Sequence, residues 1–547
     1  MKNKTILLAV LLLIMMLTAC NKQPAPQTQP QVEQQSAAVQ IVLSDEAIQV
    51  DGTAIGSDTA SAVYAAKDII YYESGKDFTY GEGTEDDAHT PEEAAAHTVI
   101  HITKPGTYSL SGKLSKGQIA IDLGENAKGD PKAVVTLILN NADITCQVAP
   151  AIIFYNVYEC GSTENPTKDV DTSAAGANVV IADGSENTVR GSFVARIYKP
   201  DSVVLNQQGT AVEDAKKLHK YDGAFYSKMS MNVFGEKENT GTLNIYAENE
   251  GLDTELHLTV GGGKINIYSG NDGINTNEDG VSVTTVNGGE LNILVTGETG
   301  EGDGIDSNGW LVINGGSVTA AACEKSADAG IDSDMGIYIN GGTVIATGNM
   351  LDRIEEGGQT YAVFSFAQNQ NGKDTVSLKD KDGNKVLEHT PQNGYSILIY
   401  SNPEFKEGTY TLWNNDSQLA GQTGGQGMGG RPGGMMPPDG FTPPKDQGND
   451  VQRPEGIQPP EDQGNDVQRP EGMQPPEEFT PPEGLDDDKQ PPVGMEPPTD
   501  EGRPGRPNGG ENWRPGQDSG NGAAGELSPE FVIVPGANMF GNITYLV

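Results

Sequence analysis

The stretch GEGDGIDSNGWLVINGGSV, residues 300–318, decides the fold because both of its halves recur along the chain. The copies of its first half are NEGLDT (249–254), NDGINT (271–276), GDGIDS (302–307) and DAGIDS (328–333). The second half recurs as VGGGKI, VNGGEL, INGGSV and INGGTV, which begin one residue before Gly261, Asn287, Asn314 and Asn340, at intervals of 26, 27 and 26 residues. The chain is therefore built from repeats of about 26 residues.

Apolar and mixed positions alternate with a period of two inside each repeat, which is typical of β-strands. Two columns of equivalent positions are apolar throughout: Val260, Val286, Ile313 and Ile339, and Leu252, Ile274, Ile305 and Ile331. Short strands, Gly/Asn turns and stacked apolar columns predict an all-β parallel β-helix of about 26 residues per coil. A long antiparallel sandwich is the alternative, but it does not explain why the same turn residue recurs at the same phase.

Acidic and amide residues form two further columns beside the buried Leu or Ile. Alternation predicts that both columns face outward, with successive coils ~4.8 Å apart. One column contains Asp253, Asn275, Asp306 and Asp332, and the other contains Glu250, Asp272 and Asp303, with Asp328 displaced by one residue. Like charges at this spacing repel, whereas carboxylate and amide oxygens are the ligands that Ca²⁺ prefers. We expect these eight residues to bind Ca²⁺; the alternative is that Asp-Gly and Asn-Gly are simply good turn formers.

Two columns are chemically mixed, which indicates that they are not packed to interior density. They contain Thr259, Thr285, Val312 and Tyr338, and His257, Val283, Trp310 and Gly336. We expect Trp310 and Tyr338 to point outward, where they could stack on sugar rings or be isolated surface residues.

The N-terminus, MKNKTILLAVLLLIMMLTAC, has two lysines, an apolar run too short to be trusted as a membrane span, and Leu-Thr-Ala-Cys ending at Cys20. This ending resembles the bacterial lipobox, so residues 1–20 are predicted to be a lipoprotein signal peptide and Cys20 the lipidated residue. The protein would then be anchored in the cell membrane on its extracellular face. A net charge of −42 argues against nucleic acid as a partner.

Composition divides the rest of the chain. Residues 21–40 are Gln/Pro-rich and predict a flexible linker. Residues 41–357 are assigned to the parallel β-helix and 358–420 to a small C-terminal β-strand module. Residues 421–526 are rich in Pro, Gly and acidic residues and predict a disordered insertion, after which 527–547 return as one or more strands. Cys146 and Cys160 could form a disulfide in an exported chain.

Several segments in this order resemble a family of bacterial exported carbohydrate-binding domain proteins. They include ITKPGTYSLSGKLSKGQIAID, VVTLILNNADITC, VVIADGSENTV, DGAFYSK and the DGI[DN][ST]…NGG repeats, and the likeness covers about residues 41–420. The resemblance implies a right-handed parallel β-helix with surface calcium ions that binds cellulose-like or acidic, pectic glycans without demonstrated catalysis. The Asp-Gly-Ile-Asp of Asp303 to Asp306 is also similar to the calcium-binding aspartates of family-nine pectate lyases.

A pectate lyase needs a Lys or Arg base beside its calcium. Lys228, Lys264 and Lys325 lie in the repeat region, but none recurs at a fixed offset from the aspartates. We therefore expect a non-catalytic, lipid-anchored protein that binds polysaccharide. The alternatives are a calcium-dependent polysaccharide lyase and a structural adhesin whose partner is protein or cell wall.

Overall fold

The computed structural model describes residues 37–423 and 527–546, which are almost entirely β. The predicted lipidation site at Cys20, most of the linker and the segment 424–526 lie outside the described residues. Within the described part of the chain, no helix is long and apolar enough to span a membrane. The described α-helix is Pro91–Ala96, which begins with a capping box between Thr90 and Glu93, and two 3₁₀ turns lie at Glu125–Gly129 and Pro200–Ser202.

Parallel strands from successive repeats form three ladders, and a typical repeat contributes one strand to each. The first ladder contains Val39–Leu43, Gly106–Leu114, Val135–Thr145, Ala177–Ile181, Met231–Gly235, Leu258–Val260, Val283–Val286, Trp310–Ile313 and Gly336–Ile339. The second continues from Val135–Thr145 through Glu186–Gly191, Thr242–Ala247, Lys264–Ser269, Glu290–Val295, Ser317–Ala321 and Thr343–Gly348. The third contains Thr98–Ile102, Gly117–Asp122, Ile152–Asn156, Gly223–Ser227, Glu250–Thr254, Ile274–Thr276 and Ile305–Ser307.

Residue pairing in the ladders confirms the predicted columns. Leu252 pairs with Ile274 and Ile274 with Ile305, and all three are fully buried. The column that runs from Val260 to Ile339 is also in register and buried. Each fully buried Leu or Ile stabilises the fold by about 1.5–3 kcal/mol, so the stacked columns form a continuous apolar core.

The recurring glycines are required because successive repeats approach closely. A Cβ on Gly251 would lie 2.4 Å from the carbonyl oxygen of Gly273, and one on Gly304 would lie 2.3 Å from that of Gly330. In each Gly-Gly turn the last glycine has positive φ, for example 79° at Gly316. Asn314 lies before that turn, and its side-chain oxygen Oδ1 accepts a hydrogen bond from Asn340 Nδ2 at 2.8 Å.

A second core lies in the C-terminal strands. These strands are Tyr361–Gln370, Val376–Asp380, Lys385–His389, Tyr395–Ser401, Gly408–Asn414, Ser417–Thr423, Phe531–Ile533 and Ala537–Tyr545. Tyr395–Ser401 pairs antiparallel with Thr343–Gly348, which links this module to the last repeat. Phe364, Phe531 and Phe540 pack at its centre, with ring centroids 5.0–5.7 Å apart. The last strand thus pairs with strands that precede the long Pro/Gly-rich segment.

The remaining strands are short. Gln49–Val50 and Thr53–Ala54 form a hairpin beside Val39–Leu43, Val63–Ala66 pairs antiparallel with Thr98–Ile102, and Val204–Leu205 pairs with Val212–Asp214. Cys146, Cys160 and Cys323 are free thiols, so the disulfide considered for the first two is not formed.

Candidate functional site

The predicted metal ligands lie along one edge of the third ladder. Asp253 pairs with Asn275 and Asn275 with Asp306, so this column is in register as expected. Main-chain bonds place the other column at the start of the same strands, because the amide of Gly251 donates to the carbonyl of Asp272 at 3.0 Å, and Gly273 donates to Asp303 at 3.0 Å. The sequence repeat therefore brings the acidic residues of adjacent repeats together.

The expected solvent exposure of these columns is wrong for their first half. Asp253 is fully buried, and Glu250, Asp272 and Asn275 are at most 8% exposed. Asp303, Asp306, Asp328 and Asp332 are partly buried. The long connection 192–222 lies against this edge, since the main-chain amide of Glu250 donates to the carbonyl of Asp222 at 3.2 Å and Arg196 Nη2 donates to Asp222 Oδ2 at 2.9 Å. Alternation predicts which way a side chain points, but it cannot predict what covers it.

Asp222, Glu250, Asp253, Asp272 and Asn275 form a group that we call the Glu250 cluster. Asn275 Nδ2 donates to Glu250 Oε1 at 3.0 Å, and Asn277 Nδ2 donates to Asp253 Oδ1 at 2.6 Å. Burial raises the pKa of Glu250 well above its usual value, and the charges of Asp253, Asp222 and Asp272 raise it further. Burial likewise raises the pKa of Asp253, with Asp222 and Glu255 adding to the effect.

Three oxygens of the Glu250 cluster are buried without a hydrogen-bond partner. They are Glu250 Oε2, Asp253 Oδ2 and Asn275 Oδ1. Each such buried acceptor costs about 1–3 kcal/mol if nothing satisfies it. These atoms come from two adjacent repeats and are hard oxygen donors of the type that Ca²⁺ selects.

The donor chemistry therefore fits a hard cation, although the acidic side chains alone do not enclose one. Among the described residues, no three His, Cys, Asp or Glu side chains are grouped closely enough to hold a metal ion. Calcium takes six to eight oxygens, which include amide and main-chain carbonyls and water. An ion here would thus need the Asn275 amide and such additional oxygens beside Glu250 and Asp253.

A second acidic group follows in the next repeats and differs in its bonding. Its carboxylates accept main-chain hydrogen bonds across the repeats: Asp303 Oδ1 accepts from the amide of Ala329 at 2.6 Å, and Asp328 Oδ2 accepts from that of Gly302 at 2.7 Å. Asp328 also accepts a hydrogen bond from the Ser326 hydroxyl. This bonding is what a structural turn requires, so the turn interpretation accounts for Asp303 and Asp328 better than it accounts for Glu250 and Asp253.

Crowding of acidic residues nevertheless continues through this second group. Burial raises the pKa of Asp303 well above its usual value, and four neighbouring negative charges raise it further, those of Asp332, Asp272, Asp306 and Asp328. Burial also raises the pKa of Asp332, and the charges of Asp352, Asp306 and Asp334 add to it. Sequence reasoning missed Asp334, although Glu255, Asn277 and Asn308 occupy the same position in the other repeats. It also missed Asp352, which lies after the last repeat motif.

The two predicted sugar-contacting aromatics, Trp310 and Tyr338, are half-buried. The expectation that their columns face solvent is wrong for most members, since His257, Val283, Thr259, Thr285 and Val312 are buried. The segment 161–176 covers part of this face, because a Cβ on Gly161 would lie 2.6 Å from the His257 ring.

Two further contacts show how this segment is attached. The hydroxyls of Thr172 and Thr259 lie 2.7 Å apart, and Lys168 Nζ lies 5.1 Å from the centre of the Tyr338 ring. Nothing in the repeat sequence signals that this face is covered, since the segment occurs once in the chain.

Positive groups at the acidic edge were also missed. Arg196 contacts Asp222 as described. Burial raises the pKa of Asp222 and Glu255, and the positive charge of Lys220 opposes this rise in both. By contrast, Lys264 pairs with Glu290 at 2.9 Å and Lys325 donates to the Gly297 carbonyl at 2.8 Å. Arg196 and Lys220 lie outside the 26-residue repeats, so the pattern that identified the aspartates could not identify them.

Comparison with known proteins supports a carbohydrate-related function. The family model of carbohydrate-binding domain-containing proteins matches residues 96–350, which confirms the family resemblance over that range. No curated protein matches the chain.

One solved structure that matches is described as the polysaccharide lyase-like protein from C. thermocellum, gadolinium derivative. The two sequences are 17% identical, the match covers 55% of this chain and 90% of that chain, and the TM-score is 0.28. That score is too low to support an argument about this protein.

Proposed function

We propose that this protein is a non-catalytic carbohydrate-binding lipoprotein of the cell surface, anchored by lipid on Cys20. Its three ladders of parallel strands would form the coils of a right-handed parallel β-helix, stabilised by calcium, that binds polysaccharide. The family match over residues 96–350 carries the carbohydrate assignment. The signal-like N-terminus and its Leu-Thr-Ala-Cys ending support the anchor.

Calcium is proposed at the Glu250 cluster because of the three buried oxygens that have no partner there. A cation bound to Glu250, Asp253 and Asn275 would satisfy these oxygens and neutralise charges that burial otherwise disfavours. It would also connect two adjacent repeats, since Asp253 and Asn275 lie on neighbouring strands. The expected role of this ion is structural. The second acidic group would take calcium only where main-chain bonds leave its carboxylate oxygens accessible.

Glycan-array binding of the full chain, with and without a calcium chelator, tests the function. We expect binding to cellulose-like or acidic glycans that weakens in chelator, because loss of calcium loosens the repeats. Binding to no glycan would contradict the proposal and favour a structural adhesin. Glycan binding that is unchanged after calcium is fully removed would remove calcium from the proposal and leave the carbohydrate function intact.

A calcium-dependent polysaccharide lyase is the second candidate, because Arg196 and Lys220 lie beside the acidic edge and could act as the base. The chain would be incubated with polygalacturonate and Ca²⁺ while the absorbance of unsaturated uronate is followed. We expect a flat trace. A steady rise that disappears in Lys220→Ala or Arg196→Ala, while Lys264→Ala retains it, would replace the non-catalytic proposal with a lyase.

A further inference from the structure

Tyr246 and Tyr268 form an exposed aromatic pair on the second ladder. They are neighbours in register, their rings lie 5.0 Å apart with planes only 9° from parallel, and they are 40% and 37% exposed. Arg190 precedes them in the same column, with its Cζ 4.9 Å from the centre of the Tyr246 ring. The three side chains thus form a stacked row across adjacent repeats. Large exposed aromatics grouped in this way are typical of binding surfaces.

A groove of about 510 Å³ runs beside this row. Its lining residues come from successive repeats, from Thr145 through Arg190 and Tyr246 to Tyr268, which are register neighbours. The row from Thr145 to Tyr268 covers three strand spacings of ~4.8 Å and is therefore about 14 Å long. Its polar lining includes Gln147, Ser192, Glu248, Thr296 and Glu298. The groove therefore combines apolar rings with hydrogen-bonding groups along the direction in which the strands stack.

The charges around the groove indicate which kind of glycan fits. Arg190 Nη1 is bonded to Asp143 Oδ1 at 3.0 Å, so its charge is already matched. Glu248 accepts a hydrogen bond from the Ser192 hydroxyl at 2.5 Å, and Glu298 also lines the groove. These carboxylates oppose a uronate chain, because like charges across a binding surface are unfavourable. Neutral sugars present hydroxyls that carboxylates and amides can bind and C–H faces that pack on aromatic rings.

We propose that this groove binds a neutral polysaccharide chain lying along the stacking direction of the strands, with Tyr246 and Tyr268 as its apolar contacts. The proposal rests on the carbohydrate-binding function proposed above and assigns it to this face. Glu248, Gln147 and Thr296 bind sugar hydroxyls. The pair Trp310 and Tyr338 lies on the first ladder, partly under the segment 161–176, and is a separate face.

Affinity gel electrophoresis of the full chain tests the assignment, with hydroxyethyl cellulose as the neutral polysaccharide and polygalacturonate as the acidic one. The wild type is expected to be retarded by the neutral polymer more than by the acidic one. Tyr246→Ala/Tyr268→Ala should weaken retardation by about tenfold, which is about 1.4 kcal/mol. The control Phe78→Ala/Tyr545→Ala removes two aromatics of similar exposure, 49% and 48%, and should bind like the wild type.

Thermal unfolding of every variant shows whether it is folded. If the double variant unfolds, Tyr268→Ala alone is used, which retains the Arg190 contact with Tyr246 and should still weaken binding. Wild-type affinity in the folded tyrosine variant, loss of binding in Trp310→Ala/Tyr338→Ala instead, or a preference for polygalacturonate would each overturn the assignment. Absence of binding to both polymers and to the glycan array would overturn the proposed function itself.

Discussion

Replacement of Asp253 by Asn distinguishes a cation ligand from a turn residue, because the two roles predict different results in chelator. The Asp253 carboxylate is buried, one oxygen accepts from Asn277 at 2.6 Å, and the other has no partner. Its charge is disfavoured by burial and by Asp222 and Glu255. The neutral amide keeps the shape and the acceptor for Asn277 but removes the charge. In chelator, Asp253→Asn should therefore be at least as stable as the wild type.

Calcium should reverse this order. At 100 times its Kd, a ligand that binds only the native state adds about 2.7 kcal/mol to the free energy of unfolding. Three partnerless oxygens at about 1–3 kcal/mol each leave roughly 3–9 kcal/mol that a cation could recover, so this increment is attainable. At about 2 °C per kcal/mol for a large domain, the wild-type Tm should rise by roughly 5 °C in calcium. Asp253→Asn should lose most of that rise.

Differential scanning fluorimetry in calcium and in chelator measures both differences. The control is Glu290→Gln, which removes an exposed carboxylate paired with Lys264 and should leave the calcium increment unchanged. If Asp253→Asn lowers the Tm equally in both conditions and retains the full calcium increment, Asp253 is a turn residue and the reasoning is refuted.

Three further predictions concern pH, packing and the chain terminus. First, Glu250 and Asp253 have raised pKa values in the folded protein, so the native state binds more protons than the unfolded chain. In chelator the Tm should therefore fall as the pH rises above about 4, and saturating calcium should reduce this fall. A Tm that rises with pH in chelator would contradict the burial argument. Second, Gly304→Ala places a Cβ 2.3 Å from the Gly330 carbonyl oxygen and should destabilise the fold by about 1–3 kcal/mol, measured by urea unfolding. The comparison variant Gly280→Ala lies at positive φ with open space around it, so it tests backbone strain without a steric clash. Third, removal of residues 527–547 takes away the strands that cover Phe364, so binding of a hydrophobic dye should increase; unchanged dye binding would show that the module is stable without them.

Much of the architecture could be predicted because the repeat specifies it locally. The column Leu252, Ile274 and Ile305 is buried in register as expected. The recurring glycines are also explained, since their place in the repeat is where the next repeat's carbonyl leaves no room for a side chain. The cationic neighbour of the acidic site was not predictable, because Arg196 belongs to a connection that occurs once.

The Tyr246 and Tyr268 pair was missed for a different reason. Both residues follow an Asn-Ile pair, in LNIYA and INIYS, so the signal was present in the sequence. The next repeats have Leu294 and Ala321 at this position, and a column conserved in only two repeats does not stand out from the pattern. Its importance is visible only when the rings are seen to stack beside a groove.

The sequence by itself determined the all-β class, the length of the repeat, the buried columns and the clustering of carboxylates along one edge. These follow from a periodicity that each repeat restates, so local alternation is enough to read them. The tertiary structure decided which columns are exposed: it buried Asp253 beside the connection 192–222 and His257 beside the segment 161–176, and left Tyr246 and Tyr268 open. Burial depends on segments distant in the chain, and burial sets both the cost of a carboxylate's charge and the access of a ligand to a ring.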